Sequence, residues 1–158
     1  MPELDADVIR RAKSGDTRAF ATLVEAYHSR CLRFAQQMLL SAEDAEEAVQ
    51  DAFVRVYDAL PRFNEELRFE PWLFRILANR CRTARVRRRK VDAVVVFSDT
   101  VPDLAVSPEN TDAVRDELWA HLDALGAAQR EAFLLHHIEG MSYDDMATVT
   151  GVGVSALK

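Results

Sequence analysis

Cysteine, glycine and proline are scarce in this chain, with two, five and five copies among 158 residues. Cys31 and Cys81 have no CxxC spacing and no cluster of other ligands beside them, which predicts reduced core thiols rather than a disulfide or a metal site. The chain has no apolar run of about eighteen residues, and its N-terminus, MPELDAD, is polar and acidic. We therefore expect a cytoplasmic protein with no signal peptide and no membrane insertion.

The residue patterns of common catalytic sites are also absent from the sequence. We find no Ser/His/Asp order, no glycine-rich phosphate loop and no carboxylate pair in an apolar setting. His136 and His137 are adjacent, and neighbouring positions on a helix point about 100° apart, so the two rings cannot converge on one metal ion. The sequence predicts a protein that is not an enzyme, with no catalytic residue, no metal site and no cofactor.

Acidic residues are absent from one stretch in a chain whose formal net charge is −6. Between positions 75 and 90 there are eight basic residues: Arg75, Arg80, Arg82, Arg85, Arg87, Arg88, Arg89 and Lys90. A basic segment set against an acidic remainder predicts a polyanionic partner.

The basic stretch also has the pattern of a helix with one buried face. Apolar residues recur there at spacings of three and four, and Pro71 suits a first turn. The opposite side would expose arginine, asparagine and threonine, which bind phosphates and base edges. Phe63, Phe69 and Trp72 precede it and could stack on unpaired bases. The alternative is that these aromatics belong to the core and the arginines form a solvated face.

Upstream of the basic stretch, the sequence predicts helices over residues 6–13, 17–40 and 41–60. Asp16 and Ser41 are expected N-caps, and Gly15 a C-terminal stop. The third helix has a polar face with Glu47, Gln50, Asp51 and Arg55, which is either solvated or a partner surface. No strand pairing is expected, so the predicted fold class is all-α.

Downstream, the composition indicates an extended acidic linker over residues 91–110 between two small helical domains, 1–90 and 111–158. In the second domain, Thr111 and Ser142 are expected caps. Gly151 and Gly153 form a turn before a last helix that begins at Val154. A helix, a short glycine turn and a second helix are typical of a helix-turn-helix. Alone, this pattern also fits a regulator that binds duplex DNA without polymerase, and copurification with core polymerase would separate the two functions.

Three segments together resemble a known family. DAEEAVQDAFVRVY, FEPWLFRILANRCRTARVRRRK and LGAAQREAFLLHHIEGMSYDDMATVTGVGVSALK are similar, in order and spacing, to regions 2 and 4 of the extracytoplasmic-function (group IV) sigma factors of the sigma-70 family. The resemblance implies a subunit that directs bacterial RNA polymerase to promoters and melts the −10 element. It also implies core polymerase and promoter DNA as partners, with an anti-sigma factor as a further expected partner.

The resemblance assigns roles to positions of this chain. The polar face with Glu47, Gln50, Asp51 and Arg55 would bind the coiled-coil clamp of the polymerase β′ subunit, and the second domain would rest on the β flap. The loop from Arg62 to Glu70 would capture a flipped base. The −10 contacts would be Arg62, Phe63, Arg68, Phe69, Trp72, Arg75, Asn79, Arg82 and Thr83, with Arg87 and Arg88 on upstream phosphates.

At the C-terminus the chain departs from the family pattern. Family members usually continue beyond a VGTVKSR-like motif, whereas this sequence stops within the matching VSALK. Most of the recognition helix is then missing, and Ser155 and Lys158 are the only expected −35 contacts.

Overall fold

The computed structural model describes residues 4–95, 121 and 125–158. Helices make up its regular structure, and no β-strand occurs in these ranges, which confirms the predicted all-α class. In chain order the α-helices are α1 (Ala6–Lys13), α2 (Thr17–Leu39), α3 (Ala42–Ala59), α4 (Phe69–Val95), α5 (Ala127–Phe133), α6 (Tyr143–Thr150) and α7 (Val154–Leu157). A 3₁₀ turn (Leu60–Arg62) follows α3, and a π-helical turn (Leu134–Ile138) follows α5.

The predicted helix starts are confirmed by their caps. The Asp16 carboxylate accepts hydrogen bonds from the backbone N–H groups of Arg18 and Ala19. The Ser41 hydroxyl accepts one from the N–H of Asp44, 3.3 Å away, and Ser142 begins α6 in the same way. Each cap satisfies donors that the first helical turn leaves unpaired.

Helices α1 to α4 pack into the first bundle, with α2 against α1, α3 and α4. The apolar stripes of α2 and α3 meet that of α4, where Phe34 and Phe74 contact edge to face with ring centroids 5.4 Å apart. Tyr57 continues the apolar spacing of α3, but about half of its surface is exposed. It packs at the margin instead, with its ring 5.0 Å from Phe20.

Helix α4 extends past the predicted domain boundary. It continues to Val95, although residues 91–110 were predicted to be an extended linker. No glycine or proline occurs between Pro71 and Pro102 to interrupt the helix, and residues 91–95 belong to α4 rather than to an extended linker. The rest of the predicted linker, and the helix expected from Thr111, lie outside the described residues except for isolated positions.

A second helical unit, made of α5, the π-helical turn, α6 and α7, packs directly on the first bundle. Helix α6 lies against α4, and Leu134, Met146 and Val149 belong to the same buried apolar cluster as the first bundle. Ile138, at the end of the π-helical turn, is half exposed although it is apolar. The π-helical turn changes the angular spacing of the residues at this point, so Ile138 does not continue the buried face of Leu134 and Leu135.

Candidate nucleic-acid interface

Helix α4 has one face buried in the core and one face exposed to solvent. Leu73, Phe74, Leu77, Ala78 and Cys81 are buried on the core side. Among the predicted −10 contacts, Arg75, Asn79, Thr83, Arg87 and Arg88 are exposed on the helix. The helix therefore holds a row of cationic and hydrogen-bonding side chains in a fixed register.

The aromatic residues in the loop before α4 and in its first turn form a cluster. The ring of Phe63 lies 4.7 Å from that of Trp72 and 5.6 Å from that of Phe69. Phe63 and Phe69 are only 4% and 7% exposed. The prediction that these two rings stack on bases is not supported, since their faces are used in packing. Trp72 is partly exposed and remains the one member of the cluster with surface free for a ligand.

A hollow lies beside the loop that joins the 3₁₀ turn to α4. Its volume is about 480 Å³, and Tyr27, Phe63, Phe69, Arg68 and Ile9 are among its lining residues. Pockets of this size, with aromatic walls and a few polar groups, accept small planar molecules. Arg62, also predicted to contact DNA, is exposed on the 3₁₀ turn near the start of this loop.

Arg82 is not free as the sequence predicted. Its Nε donates to the carboxylate of Glu131 at 3.0 Å, and its Nη2 contacts the same carboxylate. Its Nη1 donates to Asn79 Oδ1 at 2.6 Å. Arg82 and Asn79, which were both predicted to contact the strand, therefore bind each other. Arg82 is also bound to the second helical unit. Arg68, on the loop, also binds the second helical unit, through its Nη1 and the carboxylate of Asp145 in α6.

A third ionic contact between the two helical units is buried. Arg30 of α2, with 9% of its side chain exposed, binds Glu70 at 2.8 Å and Glu139 at 2.7 Å. Its guanidinium also lies 5.4 Å from the ring centre of Phe74. Burial by itself lowers the pKa of Arg30, but hydrogen bonds to Glu70 and Glu139 outweigh it and raise the pKa above its ordinary value. The guanidinium therefore stays charged.

Four charged residues of these contacts were not predicted from the sequence: Arg30, Glu131, Glu139 and Asp145. One signal was available, because Arg30 falls on the apolar stripe of α2, between Tyr27 and Phe34. A charged residue at a buried helical position needs a partner of opposite charge. That partner could not be found from local spacing.

The polar face of α3 is exposed and lies next to the end of α4. Glu47, Gln50, Asp51 and Arg55 are all exposed. Glu47 contacts Arg87 at 3.4 Å, and Asp51 contacts Arg80 at 3.5 Å. Both side chains of the Glu47–Arg87 pair are 70% exposed, and ion pairs of this kind contribute about 0–1 kcal/mol. They can therefore be exchanged for other partners at little cost.

The described end of the chain forms the predicted helix-turn-helix geometry. Gly151 has a positive φ of 72° and ends α6, a conformation that favours glycine. Helix α7 begins at Val154, and Ser155 and Lys158, the predicted −35 contacts, are exposed.

Other chemical groups in the described ranges are engaged in packing. His136 stacks on Tyr143 and its Nδ1 lies 3.1 Å from the carbonyl of Met141. No group of three or more potential metal ligands occurs in the described part of the chain. None of its helices is both long and apolar enough to cross a membrane.

Cys31 and Cys81 are free and buried, as predicted, and burial raises the pKa of each thiol to about 12.

A basic helix beside an aromatic-backed loop, with a helix-turn-helix packed on it, defines an all-α nucleic-acid-binding protein. Two family models match the chain: Sigma-70 region 2 over residues 23–91 and Sigma-70, region 4 over residues 115–158. RNA polymerase sigma-H factor of Pseudomonas aeruginosa is 32% identical, over 99% of this chain and 87% of that protein. RNA polymerase sigma factor CarQ of Myxococcus xanthus is 30% identical, over 95% of this chain and 87% of that protein.

Solved structures of sigma factors are also similar to this chain. CnrH in complex with the cytosolic domain of CnrY is 28% identical, with a TM-score of 0.72 over 97% of this chain and 86% of that one. The sigma factor RpoE in complex with the anti-sigma factor NepR from Bartonella quintana is 26% identical, with a TM-score of 0.70 over 87% and 86%. The chain belongs to the sigma-70 family, in the extracytoplasmic-function group of RNA polymerase sigma factors. It is accordingly a promoter-recognition factor of transcription initiation, as the resemblance predicted.

Proposed function

We propose that this sigma factor binds core RNA polymerase through the exposed face of α3 and then holds the separated −10 strand on α4 and its preceding loop. The observation that carries the proposal is the fixed, exposed row of Arg75, Asn79 and Thr83, which ends near exposed Arg87 and Arg88. Arginine forks onto phosphates, while asparagine and threonine hydrogen-bond to base edges. Arg68 and Arg82 join this surface once their carboxylate partners are released.

The hollow beside the loop is the proposed place for one extruded base. Extruding a base from the duplex costs on the order of a few kcal/mol, and contacts of the protein with the open strand can offset that cost. A protein that binds the open strand better than the closed duplex shifts the equilibrium toward opening. Promoter melting by this chain then requires no catalytic group and no cofactor, so we propose that it is not an enzyme.

The remaining partners follow from the family. Glu47, Gln50, Asp51 and Arg55 would contact the β′ clamp coiled coil, where polar contacts give orientation and specificity more than affinity. The second helical unit would rest on the β flap and contribute Ser155 and Lys158 to −35 binding. Two structural relatives are solved with CnrY and with the anti-sigma factor NepR, which supports an anti-sigma partner here. The chain would act with polymerase in the cytoplasm.

Run-off transcription with purified core enzyme and a promoter library tests the proposal. The Arg75→Ala, Asn79→Ala variant should bind core normally but lose transcription by about tenfold, since one base or phosphate contact is worth about 1–3 kcal/mol. Arg33→Ala, which removes an exposed arginine on α2, is the matched control and should transcribe like the parent. Equal transcription by all three proteins would contradict the assignment of α4.

A separate pair of variants tests the α3 surface. Gln50→Lys with Asp51→Lys should weaken core binding, measured by fluorescence anisotropy of labelled sigma, because it reverses the charge of a surface meant for a specific partner. Glu25→Lys, an equally exposed change on α2, should bind core as the parent does. Unchanged binding by the α3 variant would contradict this part of the proposal.

A further inference from the structure

The hollow beside the loop has two walls that come from different parts of the chain. Ile9 and Arg10 of α1 line one side, and Phe63, Glu65 and Arg68 of the loop line the other. Because no local pattern joins these two segments, the shape of the hollow depends on how the loop is held against α1.

Helix α1 is the fixed wall of the hollow. Ala12 is buried, and Val8 and Ile9 pack against the apolar cluster of the bundle. At the end of α1, Arg11 Nη2 binds the carboxylate of Asp16, the N-cap of α2, at 2.7 Å. Apolar packing and this ion pair together hold α1 on α2, so α1 offers the loop a surface of constant position.

The hydrogen bonds within the loop fix its shape but not its position. Asn64 Oδ1 accepts a hydrogen bond from the N–H of Glu66, and the Asn64 carbonyl accepts one from the N–H of Leu67, both at 3.0 Å. Both bonds lie inside a turn over residues 64–67 and do not attach it to the bundle. Residues 64–68 are all exposed, and exposed loops are more mobile than the elements they connect. A contact with the bundle is what fixes the position of such a turn.

Glu65 makes that contact with both of its carboxylate oxygens. Lys13 Nζ lies 3.1 Å from Oε1, and Arg10 Nε lies 3.7 Å from Oε2. Both cations belong to the last turn of α1. The Lys13 side chain is 28% exposed, so the shorter of the two contacts is partly shielded from solvent. The two cations also neutralise an acid that would otherwise repel the phosphates of a bound strand.

We infer that Glu65 is a positioning residue, which Lys13 and Arg10 of α1 hold so that the loop closes one side of the hollow around an extruded base. This inference rests on the proposed function, which places that base in the hollow. A loop that is already held in its binding position loses less conformational freedom when the base enters, and the affinity for the base is higher for that reason. Glu65 acts through the loop and does not have to contact the base.

DNA that lacks a single base separates capture of that base from general binding of the strand. The test uses holoenzyme assembled with the full chain, and a fluorescein-labelled −10 fork from a promoter selected by run-off transcription. One nucleotide of the unpaired strand at a time is replaced by an abasic site, and binding is measured by fluorescence anisotropy. The ratio of the affinities for intact and abasic DNA cancels the effect that an altered protein charge has on binding of the whole strand.

The parent protein should lose about tenfold in affinity when the abasic site replaces the base that enters the hollow, which is the size of one base contact. Glu65→Ala and Lys13→Met should each lower that loss to about threefold, a difference within the range of a surface ion pair, and leave the other positions unchanged. These two variants change the net charge in opposite directions, so general attraction to DNA cannot give the same result in both. Lys13→Glu with Glu65→Lys restores opposite charges and should recover part of the tenfold loss.

Glu25→Ala and Arg18→Met make the same charge changes at exposed positions of α2, and these matched controls should keep the loss of the parent. Circular dichroism checks that every variant keeps its helices. If Glu65→Ala and Lys13→Met keep the full loss at that position, the inference is wrong and the proposed function stands. If the parent itself has no position at which an abasic site lowers the affinity, the placement of an extruded base in the hollow fails, and the inference fails with it.

Discussion

Replacing Arg30 by methionine should separate the two helical units or destabilise the whole fold. Arg30 bridges Glu70 and Glu139 and is 9% exposed. Methionine fills similar space but leaves two carboxylates facing each other without a cation. Glu139, with 6% of its side chain exposed, cannot regain water while the units remain packed.

The size of the effect follows from this burial. Removing one partner of a fully buried ion pair costs about 3–5 kcal/mol, and the 21% exposure of Glu70 places this case near the lower end. We expect a loss of about 3 kcal/mol in the free energy of unfolding. The double change Arg30→Met with Glu139→Met should recover part of that loss, since it removes the more deeply buried unpaired acid.

Urea unfolding followed by circular dichroism measures the effect, with Arg33→Met as the control on an exposed face of the same helix. A separate early transition in Arg30→Met would indicate that the second unit leaves first. A loss of less than about 1 kcal/mol in Arg30→Met, the range of an exposed pair, would contradict a buried ionic contact here. A double variant less stable than the single one would contradict it as well.

Three further predictions concern stability and reactivity. Because burial raises the pKa of Cys31 and Cys81 to about 12, both thiols stay protonated at pH 8. Iodoacetamide should label them only after denaturation, and fast labelling of the native protein would contradict the buried assignment. Ser41→Ala should lower the free energy of unfolding by about 1 kcal/mol through loss of the α3 cap, whereas Ser41→Asp, measured in the same urea titration, should not. Gly151→Ala should cost about 1 kcal/mol or more because its φ is positive, and Gly153→Ala, at a negative φ of −63°, should cost less in thermal unfolding.

Helix starts could be predicted because their causes are local. Asp16, Ser41 and Ser142 each cap a helix through a neighbour two or three residues away, and such spacing is visible in the sequence. The exposed row on α4 followed for the same reason, from a helical period applied to a basic segment.

The packing of one helical unit on the other could not be predicted. Arg82 and Glu131 are 49 positions apart, and no local pattern pairs them. The burial of Phe63 and Phe69 has a similar origin, since each ring is covered by neighbours brought together by the fold. A cationic or aromatic side chain in the sequence therefore indicates a possible binding site. Whether that side chain is available to a ligand depends on its tertiary contacts.

The most direct test of the account is permanganate reactivity of thymines in the −10 region, measured on a promoter selected by run-off transcription. Holoenzyme with the parent sigma factor should make these thymines reactive, and the Arg75→Ala, Asn79→Ala variant should leave them protected at equal occupancy of core. Thymines equally reactive with both proteins, or protected with both, would contradict the claim that α4 holds the separated strand.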